Sequence, residues 1–477
     1  MSKPSFLYTA GKQCADTALV EDLHLGDILP KKILPTLTRP CDKQTILYRQ
    51  NFFRAMEADA FYSHAAKLLD ALRALASERY HWSEAELHIS RSLLHLNLLR
   101  LYLDVVRLLC AFPQENEITT AITAYWGDDA HRTLYAKIEQ AACAAEPLAK
   151  RISTFDVSLM DRAWMQPDDG GRSYGEMLAA YAAGLGMPSA PGKEQGVCLN
   201  LSMSNALSTM YREELAALDA LLAPFASETL CEPIGYAEEL DFYVQMHKFM
   251  RVVEQKGIHT CFPAVSDHRQ YRAEQVYDPY LLQKQVEVVP NDIAFDEGEP
   301  FFFLIGANSG GKTTYLRGAA LNLVFALGGC KMLAARASVY CFDRICTHFP
   351  KDERFEQMGR LEEEKRRFDE IVGAGARDSF VFLNEAYSGA NDTVGAALAL
   401  KTAETLRDKQ MFGLFVTHFQ EVCRKGIPTL QAMVDGENNR LYKVQRLHSA
   451  ASSYVEDILK KYGLDADSLR ARGNVHG

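Results

Sequence analysis

The chain has 477 residues, of which 48% are hydrophobic and 24% charged, which excludes disordered and fibrous classes and suits a globular protein of several domains. Asp and Glu (62) outnumber Lys and Arg (52), for a formal net charge of -10, so bulk attraction to nucleic acid is excluded and any such contact needs a local basic surface. The 11 cysteines run from Cys14 to Cys423 with no C-x-x-C pair, Met1–Lys12 holds no signal-peptide core, and no apolar run reaches about 18–20 residues; reduced thiols in a cytoplasmic protein, with no zinc site and no membrane span, are expected.

Taken in chain order, the first half reads as helical. Pro35 and Pro40 break the segment Pro35–Lys43. Asp59–Ala76 and Glu84–Ala111 then repeat apolar residues at spacings of three and four without an internal Gly or Pro, and Thr133–Ala145 and Ser202–Leu222 follow the same pattern. Within the second of these, Leu93–Leu109 is interrupted by His95, Asn97, Arg100, Asp104 and Arg107, which marks a buried or amphipathic helix. Gln166–Arg172 (QPDDGGR) and Met187–Gly196 (MPSAPGKEQG) have loop chemistry. No internal repeat or low-complexity tract occurs.

Near residue 270 the pattern changes. Short apolar or β-branched runs at Val286–Val289, Phe301–Ile305, Phe380–Leu383 and Phe412–Val416 alternate with helical stretches at Thr313–Leu327, Glu356–Val372 and Thr393–Lys409. That alternation predicts a parallel or mixed sheet covered by helices. The expected organisation is a helical domain over 1–270, an α/β domain over 271–450 and a helical tail over 451–477, with the boundary between Gly257 and Pro279.

The segment Gly306, Ala307, Asn308, Ser309, Gly310, Gly311, Lys312, Thr313 fits G-x-x-x-x-G-K-[ST], and Thr314 continues into the predicted helix. An apolar strand enters and a helix leaves, which is the context a phosphate-binding P-loop requires. Glycines let successive backbone N–H groups converge on phosphate oxygens, and the helix start adds the positive end of its dipole. Lys312 brings a full charge to the β- and γ-phosphates, and the Thr313 hydroxyl is a ligand for Mg²⁺. A nucleoside phosphate with Mg²⁺ is therefore the expected ligand. A small-molecule kinase is a further class with this loop, but no substrate-lid signature appears.

Such a loop needs an acidic strand end for the metal and the attacking water. Ser379–Glu385 (SFVFLNE) supplies it, with Glu385 as the candidate for orienting or deprotonating water. The preceding position is Asn384, a neutral amide that can serve the metal site without adding charge. Phe412–Val416 leads into Thr417 and His418, and a histidine just past a strand here can sense the γ-phosphate.

These segments, in this order, resemble the ATPase domain of the MutS family. GANSGGKTTYLR (Gly306–Arg317) is similar to the family's GPNMSGKSTYLR. Pro290–Asp292 precedes the first strand, Asp343–Thr347 resembles the DRIFTR segment, and Glu364–Ile371 occupies the signature helix. Ser388–Asp392, followed by Gly395, lies where the D-loop runs, Thr417–Val422 resembles the TTH-x-x-EL ending, and Ser452–Gly463 is similar to the helical tail. The likeness covers about 275–465, and an ABC transporter would carry L-S-G-G-Q instead. Thr45–Gln50 with Phe52 and Phe53, and Glu239–Tyr243 with Cys261–Pro263, resemble the family's core and lever helices more weakly.

The resemblance implies an α-helical N-terminal core and lever domain followed by an α/β P-loop ATPase domain of the ABC-type, MutS-like kind. It implies a homodimer formed through the ATPase domains, with one subunit giving the P-loop and the other the signature region to each composite ATP site. It also implies that DNA is the partner of a clamp that ATP closes, acting in repair or recombination. Departures accompany the likeness. A core-like segment already at Thr45 implies a short form without the mismatch-reading and connector domains. The F-x-E letters at Phe295–Glu297 and Phe368–Glu370 stand in the wrong places for a mismatch wedge. The signature serine is replaced near Gly359–Leu361, the proline of the V-P-A segment is Leu333, and the adenine-stacking aromatic ahead of Asn291 is Val288. With Asn384, these changes imply slow hydrolysis. The alternative reading is an ATP-dependent conformational switch that acts on protein partners with little DNA affinity.

Overall fold

The structure is a computed structural model and describes residues 3–7, 17–159, 163–167, 201–225, 227–284, 288–307, 310–349, 360–374, 377–435 and 439–447. The chain divides into two compact units. One comprises Met1–Thr9 and Tyr48–Lys248, the other Ala10–Leu47 and Phe249–Gly477. Two of these boundaries fall inside helices, Lys43–Ala55 and Tyr236–Gln255.

The first unit is mainly helical. The helix Asp59–Glu84 buries Phe61, Ala65, Leu68, Leu69, Leu72 and Leu75, the single stripe that a 3.6-residue period produces. It packs on His88–Cys110, which buries residues on more than one side and in turn packs on Asp129–Ile152. Asn116 and Asp128 start the helices Glu117–Trp126 and Asp129–Ile152 by accepting from the amides of Thr119 (3.0 Å) and His131 (2.8 Å). An aromatic cluster fills the centre. Phe52 meets Phe6 and Phe61 edge-on, at centroid distances of 5.5 and 5.3 Å, and Phe61 meets Phe112 at 5.2 Å. Tyr243 donates to the Phe6 carbonyl (2.8 Å), and Asp241 pairs with Arg73 (2.7 Å). The segments singled out around Phe52 and Tyr243 are thus core.

Two expectations are modified in this unit. Ser202–Leu222 is not one helix but two, Leu201–Met210 and Arg212–Leu222, broken at Tyr211, whose backbone leaves the helical region while its hydroxyl donates to the Thr154 carbonyl (2.6 Å). A short antiparallel hairpin, β1 (Phe155–Leu159) and β2 (Ala163–Pro167), stands where no strand was expected, and Gln166 and Pro167 belong to it rather than to a loop. The predicted loop at Met187–Gly196 lies outside the described residues.

The second unit carries β3 (Ala264–Ser266), β4 (Gln270–Val276), β5 (Asn291–Asp296), β6 (Phe301–Ile305), β7 (Arg336–Tyr340), β8 (Arg344–His348), β9 (Ser379–Asn384), β10 (Phe412–Val416), β11 (Thr429–Val434) and β12 (Arg440–Arg446). They form two sheets. The larger has the order β12-β11-β6-β10-β9-β8, parallel throughout except for the antiparallel edge strand β12. The smaller has the order β3-β7-β4-β5 and is mixed. β6, β9 and β10 are buried along their whole length, which explains why they read as unbroken apolar runs rather than alternating ones. The helix Lys312–Leu327 is likewise buried on nearly every side, whereas Asp392–Asp408 buries one stripe. The run Val286–Val289 does not start a strand at its described residues; pairing begins at Asn291, after Pro290, which has no N–H to give to a ladder.

The segment Ala10–Leu47, assigned with 1–270 to the helical half on sequence, packs with the α/β unit instead. The reason is local. The Cys41 amide donates to the Leu327 carbonyl (3.0 Å), and Leu37 presses so closely on Gly328 that a Cβ there would stand 2.9 Å from the Leu37 Cδ1. The predicted tail 451–477 lies outside the described residues.

Candidate active site

The parallel strands β6, β9 and β10 all end at the same edge of the sheet, the edge where open α/β folds place their ligand sites. At the end of β6 the chain turns through Gly306, with φ at 138°, and enters the helix through Gly311, with φ at 92°. Neither angle suits a side chain, and a Cβ on Gly306 would stand 2.9 Å from that of Ala432. Lys312 is the first residue of the helix. Its ammonium donates to the carbonyls of Gly306 (2.9 Å) and Ala307 (3.1 Å), so the lysine folds back across the mouth of its own loop. Burial pushes the Lys312 pKa down and the Glu385 carboxylate pushes it back up. Gly310, Thr313 and Thr314 flank it, while Asn308 and Ser309 lie outside the described residues.

The second predicted element meets the first. The Thr313 hydroxyl donates to Asn384 Oδ1 at 3.1 Å, which joins the helix Lys312–Leu327 to the end of β9. Glu385 follows with φ at 49°, half-buried, and its amide donates to the Val416 carbonyl at the end of β10 (2.8 Å). Tyr387 adopts φ at 65°. Two non-glycine residues in the left-handed region, two positions apart, hold conformations that cost about 1–3 kcal/mol each and persist only where neighbours enforce them. The neighbours are visible: Glu364 Oε2 accepts from the Tyr387 amide (2.7 Å), and the Tyr387 hydroxyl bonds Thr402 Oγ1 (2.9 Å).

Beyond β10, the Thr417 amide donates to the Leu304 carbonyl of β6 (3.0 Å), so His418 leaves the sheet beside the strand that leads into Gly306. His418 is half-buried, with the Phe419 ring at 4.2 Å. Phe419 in turn covers Gly395 on the Asp392–Asp408 helix so closely that a Cβ there would stand 2.1 Å from the ring. Lys312, Thr313, Asn384, Glu385 and His418 thus gather at one edge, on three different segments of chain. Leu333, where a proline was expected, uses the amide a proline lacks: it donates to Asn322 Oδ1 at 2.6 Å in the core. Gly359 lies outside the described residues.

Sequence reasoning missed Tyr442. It sits on edge strand β12, 48% exposed and with φ at 54°. Its ring lies against the loop: a Cβ on Gly311 would be 3.3 Å from the Tyr442 Cδ1. Asn291 fixes it there, donating to the Tyr442 carbonyl (3.0 Å) and accepting from the Val444 amide (2.8 Å). The position ahead of Asn291 holds Val288, but Asn291 itself brings an aromatic ring from 151 residues away. No local signal marks Tyr442; the pairing of β12 with β11 and the Asn291 contacts deliver it.

The donor set also bears on the metal. A threonine hydroxyl and an amide oxygen, with Glu385 beside them, fit a magnesium ion whose remaining ligands are phosphate oxygens and water. They do not make an all-protein cage.

Residues 302–468 match the family model described as MutS domain V. The chain is 29% identical over 258 residues to the DNA mismatch repair protein MutS 1 of Haloarcula marismortui, covering 52% of this chain and 27% of that protein. It is 29% identical over 249 residues to the DNA mismatch repair protein MutS of Thermus aquaticus (51% and 28%) and 31% identical over 191 residues to the Endonuclease MutS2 of Lactococcus lactis (39% and 24%). By the family-model match, residues 302–468 belong to the MutS domain V family. The match to these MutS proteins spans only about a quarter of their length. Proteins of the MutS family are ATPases, and the matched segment of this chain holds Gly306–Thr314, Asn384, Glu385, His418 and Tyr442. Among the described residues, no helix is long and apolar enough to cross a membrane.

Proposed function

We propose that this chain binds and hydrolyses ATP at the edge formed by Gly306–Thr314, Asn384, Glu385 and His418. The observation that carries the reading is the hydrogen bond between Thr313 and Asn384, which brings the phosphate-binding loop and the carboxylate strand into one site. Lys312 would exchange its contacts with the Gly306 and Ala307 carbonyls for phosphate oxygens, and the amides at the helix start would hold the same anion. Thr313 and Asn384 would hold Mg²⁺, which when bound offsets phosphate charge. Glu385 would orient the attacking water, and His418 would respond to the γ-phosphate. Tyr442, exposed beside Gly311, would offer its ring to the base.

The reading extends to a homodimer through the ATPase domains, in which nucleotide favours the closed arrangement and the helical half acts on DNA as a clamp in repair or recombination. The names of the MutS relatives support DNA as the partner. Asn384 favours a slow form of the cycle, because an amide adds no charge at the metal, and a slow ATP switch acting on protein partners is the second reading.

The test is titration with a fluorescent ATP analogue and Mg²⁺, followed by gel shifts on duplex, junction and single-stranded DNA with and without ATP. Saturable binding that Lys312→Ala removes supports the site. Absence of DNA binding at low salt, where phosphate contacts are strongest, would turn the reading from clamp to protein-directed switch.

A further inference from the structure

The helix Arg360–Ala374 turns Phe368, Ile371 and Val372 toward the core beside β8 and β9, the residues a helix places on one face. Glu364, one turn before Phe368, shares that face and is 5% exposed. A carboxylate among apolar neighbours must be satisfied by donors. Here Oε2 accepts from the Tyr387 amide at 2.7 Å, an amide that belongs to the turn carrying Glu385. Among the described residues, that turn is held, besides the Thr313–Asn384 bond, by three contacts: Glu385 N on the Val416 carbonyl of β10, Tyr387 Oη on Thr402 of the next helix, and Tyr387 N on Glu364. The first two anchors sit on the sheet and on a helix packed against it. The third is a side chain reaching from Arg360–Ala374, so it makes the pose of Glu385 depend on where that helix lies.

We propose that Glu364 is a positioning residue for hydrolysis: its carboxylate fixes the Asn384–Tyr387 turn in the left-handed conformation that aims Glu385, and through it the Arg360–Ala374 helix sets the rate at which bound ATP is cut. The inference rests on the reading of Glu385 as the water-orienting group. Its chemistry involves no proton transfer by Glu364, only an acceptor oxygen at a fixed reach. A charged acceptor strengthens such a bond, but the oxygen's position is what shapes the turn.

Two conservative variants of the full chain separate reach from charge. Glu364→Gln keeps the reach and an acceptor oxygen; Glu364→Asp keeps the charge and withdraws it by one methylene. In steady-state ATPase assays, Glu364→Asp is expected to lower kcat about tenfold or more with KM within about twofold, while Glu364→Gln retains kcat within about threefold. Hydrogen exchange at the Tyr387 amide should accelerate about tenfold in Glu364→Asp and stay near wild type in Glu364→Gln, a readout independent of turnover. The proposal is overturned if the two variants behave alike in both measurements, if Glu364→Gln is the more impaired, or if KM moves while kcat does not. A wild type that binds no ATP analogue or shows no turnover sinks the site reading along with it, whereas a wild type with turnover and two indistinguishable variants sinks this inference alone.

Discussion

Two turns leave the same edge of the same sheet and reach left-handed backbone by different means. After β6 the chain uses glycine for it, at Gly306 and Gly311. After β9 it uses Glu385 and Tyr387, residues that resist that conformation, and relies on Val416, Glu364 and Thr402 to hold it. The first turn carries its geometry in its own sequence. The second borrows geometry from three distant elements. A phosphate cradle must let backbone approach a ligand closely, so side chains are a hindrance there. On the proposed reading the second turn carries a catalytic carboxylate, which needs its side chain, so the strain is met by packing.

The comparison is broken most forcefully at the second turn's own reactive group. Glu385→Gln should leave binding of a fluorescent ATP analogue intact and lower turnover by roughly 10²–10⁴, the usual worth of a positioned general base. A variant that hydrolyses ATP at the wild-type rate would show that the turn is a structural corner. Lys312→Ala comes next. Removing a buried, hydrogen-bonded cation from a charge pair costs about 2–5 kcal/mol, so analogue affinity should fall on the order of a hundredfold or more. Unchanged affinity would contradict the assignment of the first turn as the cradle.

Gly311→Ala tests the claim that the first turn is self-determined. An alanine at φ 92° carries a left-handed penalty of about 1–2 kcal/mol, and its Cβ would stand 3.3 Å from the Tyr442 ring. Both thermal stability and analogue affinity should drop, and a protein as stable as wild type would mean that the loop adapts freely. Tyr387→Phe is the matching test of the second turn. It deletes the hydroxyl on Thr402, worth about 1 kcal/mol in urea unfolding, and should lower turnover only modestly because Glu364 still holds the backbone. A collapse of turnover would make the Thr402 contact, not the Glu364 contact, the decisive anchor.

The same contrast explains what could be read from the sequence. The glycines, Lys312 and Thr313 announce themselves because their backbone requirement is written in adjacent residues. β6, β9 and β10 were legible because strands buried on both faces must be apolar throughout. Glu364 was noticed only as part of a helix, since nothing in its neighbourhood says that its carboxylate meets residue 387. Tyr442 was invisible for the same reason: it reaches Gly311 through the pairing of β12 with β11 and the clamp from Asn291. The placement of Ala10–Leu47 with the α/β unit depends on Leu37 finding Gly328, a contact between residues that carry no mark of each other. Break points inside helices were equally hidden, because the break at Tyr211 comes from a hydroxyl seeking the Thr154 carbonyl across the unit.

The smallest change bears on the seam between the two turns. Asn384 Oδ1 accepts from the Thr313 hydroxyl, and an aspartate of the same shape could accept that bond equally well. Asn384→Asp therefore alters charge with little alteration of geometry. Beside Thr313 and Glu385 the added carboxylate should tighten Mg²⁺ and raise Mg²⁺-dependent turnover by a few-fold, roughly what one modest electrostatic contact supplies. The expected signature is a lower Mg²⁺ concentration for half-maximal rate with analogue affinity at saturating Mg²⁺ unchanged. If the rate stays flat or falls, the neutral amide is not what limits hydrolysis, and the limit passes to the pose of Glu385, which the second turn borrows from its neighbours.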